Sequence, residues 1–232
     1  MASQIERVTM ELRRRILAGD LQAGERIREV QFSGELGVSR TPLRLALGEL
    51  EKEGLLERLP TRGFRVRQVT LDEVAMAIDV RGTLEGMAAR LLAEQGVSRE
   101  VLEVLQACVD EGRLLVEQAL LGRQAPVDTA RWAAMNARFH RALVEGAGNP
   151  ALASALDHIA RTPMAGPGAL GAAGVQPSLE LAFVQRAQFD HEDVVRAIVA
   201  HEGARAEALM REHARRSRDN KRALVQGLHP AT

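Results

Sequence analysis

Ile5, Val8, Met10, Leu12, Ile16 and Leu17 recur every few positions between polar and charged residues, which predicts an amphipathic helix stopping at Gly19-Asp20. A second, short helix is expected from Arg28 to Leu36, closed by Gly37. In Val38-Ser39-Arg40-Thr41-Pro42, Ser39 is placed to cap a third helix that runs to about Glu53. Pro42 costs little in a first turn, where its missing N–H would have had no intrahelical partner. Beyond Gly54, the stretch LLERLPTRGFRVRQV sets two alternating segments around a Pro-Thr-Arg-Gly turn and reads as a small β-hairpin. From Thr70 onward the period is helical almost throughout. Its breaks near Gly96, Gly122–Pro126, Gly146–Pro150, Pro163–Pro177 and Gly203 leave room for six helices. Pro163–Pro177 is poor in large side chains and reads as a flexible loop or lid.

These elements predict a mostly α protein. Residues 1–69 form a winged helix-turn-helix with a small β-hairpin wing, and residues 70–232 form an all-α six-helix bundle. The two short helices around Gly37-Val38-Ser39 are the helix-turn-helix, and the hairpin behind the third helix is the wing. The third helix is then the reader. Arg40 and Arg44 lie four apart and share a face, where a guanidinium fork can bond the major-groove edge of guanine. Ser39 and Thr41 suit phosphates or base edges, while Leu43, Leu47 and Leu50 belong to the core. Arg62-Gly63 at the wing tip can approach phosphate or the minor groove. The plainer alternative is that two arginines four apart form a solvated face.

Composition narrows the partner. With 46% hydrophobic residues the chain of 232 can bury a core, and 31 basic against 31 acidic residues exclude a uniformly basic coat for nucleic acid. The balance hides a split, since residues 1–68 hold 13 basic and 10 acidic residues, net +3, leaving net −3 for the remainder. Aromatics make up 3% and tyrosine is absent, which argues against stacking platforms for single strands and leaves double-stranded DNA as the expected partner. The single cysteine, Cys108, excludes an internal disulfide and a thiol metal cluster, so a reducing cytoplasm is the expected location. No apolar run approaches the roughly 20 residues that span a bilayer, so no membrane partner is expected.

Residues 21–66 resemble the winged helix of the GntR family, through the Gly-Val-Ser-Arg-Thr-Pro-x-Arg core at 37–44 and the Arg-Gly wing at 62–63. Leu45 stands where that family often has glutamate, and Gln31, Ser33 and Gly34 depart from its usual second helix, changes that bear on the operator sequence. The resemblance implies a dimeric transcription regulator, with two reading helices on a pseudo-palindromic operator.

Among six histidines, His140 follows Asn136 by four residues, while His191 and His213 lie on segments separated by Gly203. Imidazoles on facing helices of a bundle suit zinc, nickel, manganese or iron. Taken singly, each histidine is an ordinary hydrogen-bonded or surface residue. Residues 71–225 resemble the ligand-binding domain of the FadR subfamily, called the FCD domain, with landmarks at Arg81-Gly-Thr-Leu-Glu85, Phe139-His140, Gly148-Asn149-Pro150, His191-Glu192 and His213. The resemblance implies a divalent metal (Zn, Ni or Mn) held by His140, His191 and His213 that helps bind a small organic acid. Asn136 replaces the family aspartate and removes one negative charge from that set. Arg81 matches an arginine that reaches into the effector cavity, the alternative being a surface ion pair with Glu85. Trp132 lies one turn before Asn136 and either lines the cavity or packs.

Three other readings remain: a sensor of metal alone, a structural histidine cluster, and a metal-dependent hydrolase. The last has no His-Glu-x-x-His motif to supply its base and leaves the winged helix unexplained. The expected function is therefore an effector-responsive repressor rather than an enzyme.

Overall fold

The computed structural model describes residues 4–17, 19–121, 127–160, 162, 165–166 and 177–228. The chain divides into two compact units, one built on residues 1–70 and one holding most of residues 71–232.

In the first unit, α1 (Gln4–Leu17) buries Val8 and Leu12, one turn apart, against α3. Met10 lies off this stripe and faces solvent. α2 (Glu29–Leu36) begins one residue after the predicted start, with Arg28 at its N-cap. Gly37 ends α2 in the left-handed region, φ 63°, as a C-terminal turn requires. The Val38 N–H bonds back to the Ser33 carbonyl, while the Ser33 hydroxyl donates to the Val38 carbonyl, so Ser33 clasps the turn between the two helices. α3 (Arg40–Lys52) buries Leu43, Ala46, Leu47 and Leu50. Ser39 occupies its N-cap position, but the expected side-chain cap bond is not made.

The wing is broader than the predicted hairpin. β2 (Leu56–Arg58) and β3 (Phe64–Val66) pair antiparallel, and β1 (Arg26–Ile27) adds to the other edge of β3 in the order β1-β3-β2. Two residues are too few to show alternation in a sequence, which is why β1 escapes the pattern.

The second unit holds six helices among the described residues: α4 (Leu71–Gln95), α5 (Arg99–Leu121), α6 (Thr129–Gly146), α7 (Pro150–Ala160), α8 (Pro177–Val199) and α9 (Gly203–Leu228). Its core gathers Ala88, Leu92, Leu105, Trp132, Phe139, Leu143, Val194, Ile198 and Met210. α4 and α9 pack most closely, and glycine makes that approach possible: a Cβ on Gly82 would fall 2.4 Å from the Ala214 Cβ. Arg218 reaches Asp79 across the same pair at 2.7 Å. The segment read as a lid lies outside the described residues apart from Ala165, Gly166 and the start of α8.

Candidate functional site

Two groups of side chains stand out, one in each unit. In the first, the exposed start of α3 presents Ser39, Arg40, Thr41 and Arg44. Arg40, Arg44, Arg62 and Gly63 line one open cleft, joined by Arg26 and Arg28, which the sequence reading did not single out. Both sit on or beside β1, so missing the strand meant missing the residues it carries. Glu29 enters the same cleft and holds Arg44 at 2.9 Å. At the wing tip the Arg62 N–H bonds the Leu59 carbonyl, and both Arg62 and Gly63 have positive φ, 75° and 101°. Arg26 donates to the Arg62 carbonyl at 3.1 Å and braces the turn from β1. The cleft thus concentrates guanidinium groups on a surface formed by the reading helix and the wing.

In the second unit, α6 supplies Asn136 and His140, α8 supplies His191 and α9 supplies His213, all buried. One nitrogen of each histidine lies within 4.8 Å of the others. His191 is fully enclosed, and neither ring nitrogen has a hydrogen-bond partner; the same holds for His140 Nε2. Burial drives the His191 pKa well below the ordinary value, helped by the neighbouring His213 and His140, so its ring is neutral and its lone pair is available. The ring stacks on Phe139 at 4.1 Å between centroids and lies parallel to Trp132 at 6.1 Å, which fixes its plane. Trp132 is therefore part of the packing behind the cluster. His158 is exposed, and His201 binds the Ala93 carbonyl at 2.9 Å; neither joins the cluster.

Two carboxylates flank it. His140 Nδ1 lies 2.9 Å from Glu85 Oε1, and His213 Nδ1 lies 3.5 Å from Asp190 Oδ2. Burial pushes the Glu85 carboxyl up, but the adjoining His140 ring and the Arg81 guanidinium outweigh it and hold the pKa at about 2, so this carboxylate is ionised. Burial lowers His140 by more than Glu85 raises it. Asp190 is raised by burial and brought below its usual range by His213 and Arg216, the latter at 2.6 Å. Directing Nδ1 at a carboxylate fixes the ring and increases the basicity of Nε2, as is usual where histidine binds a cation.

The sequence reading gave Glu85 only as a surface partner of Arg81 and gave Asp190 no role. Arg81 does pair with Glu85, at 3.4 Å, but both are buried, and the Arg81 guanidinium also bonds the Ala165 carbonyl. With His140 they floor a cleft of about 320 Å3 whose walls include Val144 and Leu156. A volume of this order suits a small ligand. The neutral His191 ring and the uncommitted Nε2 of His140 suit a divalent cation, and the adjoining arginine suits an anion.

Comparison with known proteins follows the same division. Residues 4–66 match the family described as "Bacterial regulatory proteins, gntR family", and residues 76–216 match the "FCD domain". The "Uncharacterized HTH-type transcriptional regulator YdhC" of Bacillus subtilis (strain 168) is 32% identical over 149 residues, 64% of this chain and 63% of its own. The "Probable D-xylose utilization operon transcriptional repressor" of Paenarthrobacter nicotinovorans is 33% identical over 153 residues, 66% of this chain and 62% of its own. The chain thus spans just under two thirds of the length of each of these relatives. The solved structure of E. coli McbR/YncC superposes with a TM-score of 0.64 at 22% identity, covering 99% of this chain and 100% of that one, and shows the same fold. The matched families and relatives are transcription regulators, not enzymes.

Proposed function

The chain belongs to the gntR family of bacterial regulators and carries an FCD domain, and from that premise we propose that it is an effector-responsive transcription repressor whose second unit binds a small organic acid beside a divalent cation. The observation that carries the reading is the trio His140, His191 and His213, buried together with one nitrogen of each within 4.8 Å of the others, His140 Nε2 and both nitrogens of His191 having no hydrogen-bond partner. His140, His191 and His213 would hold the cation through nitrogen, with Asn136, one turn before His140, offering a neutral oxygen. Zinc, nickel and manganese are all compatible with such a set. The cation supplies a concentrated positive charge that anchors a carboxylate. Glu85 and Asp190 orient His140 and His213 and return the negative charge that Asn136 no longer provides. Arg81, partly neutralised by Glu85, turns the rest of its charge toward the acid.

The first unit reads double-stranded DNA. Ser39, Arg40, Thr41 and Arg44 meet base edges and phosphates in the major groove, and Arg62 and Gly63 meet the backbone or minor groove. A two-fold homodimer doubles a modest net charge of +3 and explains specific binding to a pseudo-palindrome. The word repressor in the name of the Paenarthrobacter relative supports the sign of regulation.

The test is zinc titration of tag-free protein by calorimetry, with elemental analysis of the protein as purified. Wild type binds one equivalent, and Asn136→Asp binds it about tenfold or more tightly, the change in affinity that single substitutions around metal sites produce. Absence of binding in both proteins overturns the cation. A melting-temperature screen of small organic acids then tests the effector, because a ligand that binds only the folded state raises the transition. Metal-independent stabilisation by an acid would leave Arg81 and the histidines as direct anion ligands.

A further inference from the structure

The cleft floored by Arg81, Glu85 and His140 rises to a rim that the organic-acid reading leaves unused. Arg141 and Glu145 of α6 and Asp157 of α7 line it, all three exposed. Arg141 and Glu145 lie four apart on one helix, a spacing at which opposite charges ordinarily pair. Elsewhere in the chain such residues do pair, in the same order along the helix: Arg99 meets Glu103 at 2.8 Å and Arg186 meets Asp190 at 3.2 Å. Arg141 and Glu145 do not, and among the described residues the side chains of Arg141, Glu145 and Asp157 have no ion-pair or hydrogen-bond partner. The rim therefore presents two uncompensated carboxylates against one guanidinium. On the floor of the same cleft, the Nε2 of His140 also lacks a hydrogen-bond partner, on a residue only 2% exposed. A buried polar atom left without a partner marks a place where a further group is needed. Floor and rim thus ask for different chemistry along one space.

We propose that the effector is an aminocarboxylic acid, its carboxylate on the floor beside Arg81 and the histidine-bound cation, its ammonium held at the rim by Glu145 and Asp157. This rests on the organic-acid reading and names its ligand class. An ammonium is a compact charge that donates in three directions, so carboxylates carried by two different helices can share it. The apolar walls between floor and rim concentrate the field of those carboxylates within the cleft. A plain acid of the same length would leave them solvated, and a diacid would set a like charge against them. Arg141 opposes the ammonium in part, which gives it an effect of the opposite sign from Glu145 and Asp157.

The experiment compares straight-chain carboxylic acids of four to six carbons that end in an amino group, a methyl group or a second carboxylate, each with and without zinc, by isothermal calorimetry on the full chain. Wild type is expected to bind the best amino acid about fivefold or more tightly than either counterpart of the same length, as two partly exposed charge pairs allow. Glu145→Gln and Asp157→Asn are each expected to lower the ratio of amino acid to plain acid, and the double variant to bring it to about one. Arg141→Gln is expected to raise it. Ligand-free melting curves establish that each variant is folded, and Glu145→Ala with Asp157→Ala is the substitute if the amide variants are not. Carboxylates that serve only to solvate the surface would leave the ratio alone in every variant. Plain acids or diacids binding as tightly as amino acids, or an unchanged ratio in the double variant, overturns the assignment while the organic-acid reading stands. Binding of none of the three classes, with or without zinc, overturns both.

Discussion

At the scale of single residues, burial converts ordinary side chains into chemical ones, and burial is what a sequence shows least. His140, His191, His213 and Asn136 could be found from spacing and resemblance because few residue types bind a cation. Glu85 and Asp190 could not. Asp190 stands in a run, Phe-Asp-His-Glu-Asp, whose acids look like a solvated face, yet it is 2% exposed. Lys221 offered a compositional signal, one of two lysines among 31 basic residues, that pattern reading passed over. Its environment makes a pH prediction. The folded-state pKa of about 7 lies below the ordinary 10.5, so between those values the unfolded chain binds the extra proton, and stability rises with pH. The cost of the buried ammonium is complete below about pH 7 and disappears toward pH 10.5. Urea unfolding of ligand-free protein should therefore show wild type gaining stability between about pH 7 and pH 10, a rise that Lys221→Met lacks.

At the scale of elements, the helices were legible because their apolar positions keep a helical period and glycine marks many of their ends. The winged unit was legible down to its turn, and what escaped was too short to have a period, namely β1. That strand carries Arg26 and sets Arg28 at the start of α2, so the arginine cleft is larger than the third helix and hairpin alone suggested. Arg40→Ala and Arg44→Ala are each expected to weaken specific operator binding by about 1–3 kcal/mol without loss of helicity, as read by gel shift and circular dichroism. Unchanged affinity in both would remove α3 as the reader. Glu29 restrains Arg44, so Glu29→Gln should strengthen binding to non-specific DNA and steepen its salt dependence. In the second unit the α4–α9 contact depends on the missing side chain of Gly82. Alanine favours a helix by about 1 kcal/mol over glycine, yet Gly82→Ala should destabilise the unit by roughly 1–3 kcal/mol in urea unfolding because its methyl meets Ala214. Adding Ala214→Gly should recover part of that loss.

At the scale of the whole molecule, regulation requires that the effector bind the DNA-competent and DNA-incompetent states with different affinity, a coupling of about 1–3 kcal/mol in most such systems. Operator affinity measured with and without the acid should change by that amount, and the acid should bind the DNA complex with affinity altered by the same factor. Loss of the effect in His191→Ala with DNA binding intact would separate sensing from reading. The stacking of Trp132 on His191 sets a fluorescent reporter beside the proposed cation site. The chain has one tryptophan and no tyrosine, so near-ultraviolet light excites an indole at a single address. That indole is 1% exposed and should emit at short wavelength, with an intensity set by the electron demand of the imidazole beside it. A cation drawn onto His191 should dim the emission, and an acid joining it should shift the lifetime. The chain thus carries an optical gauge of whatever occupies the histidine cluster, readable with or without DNA.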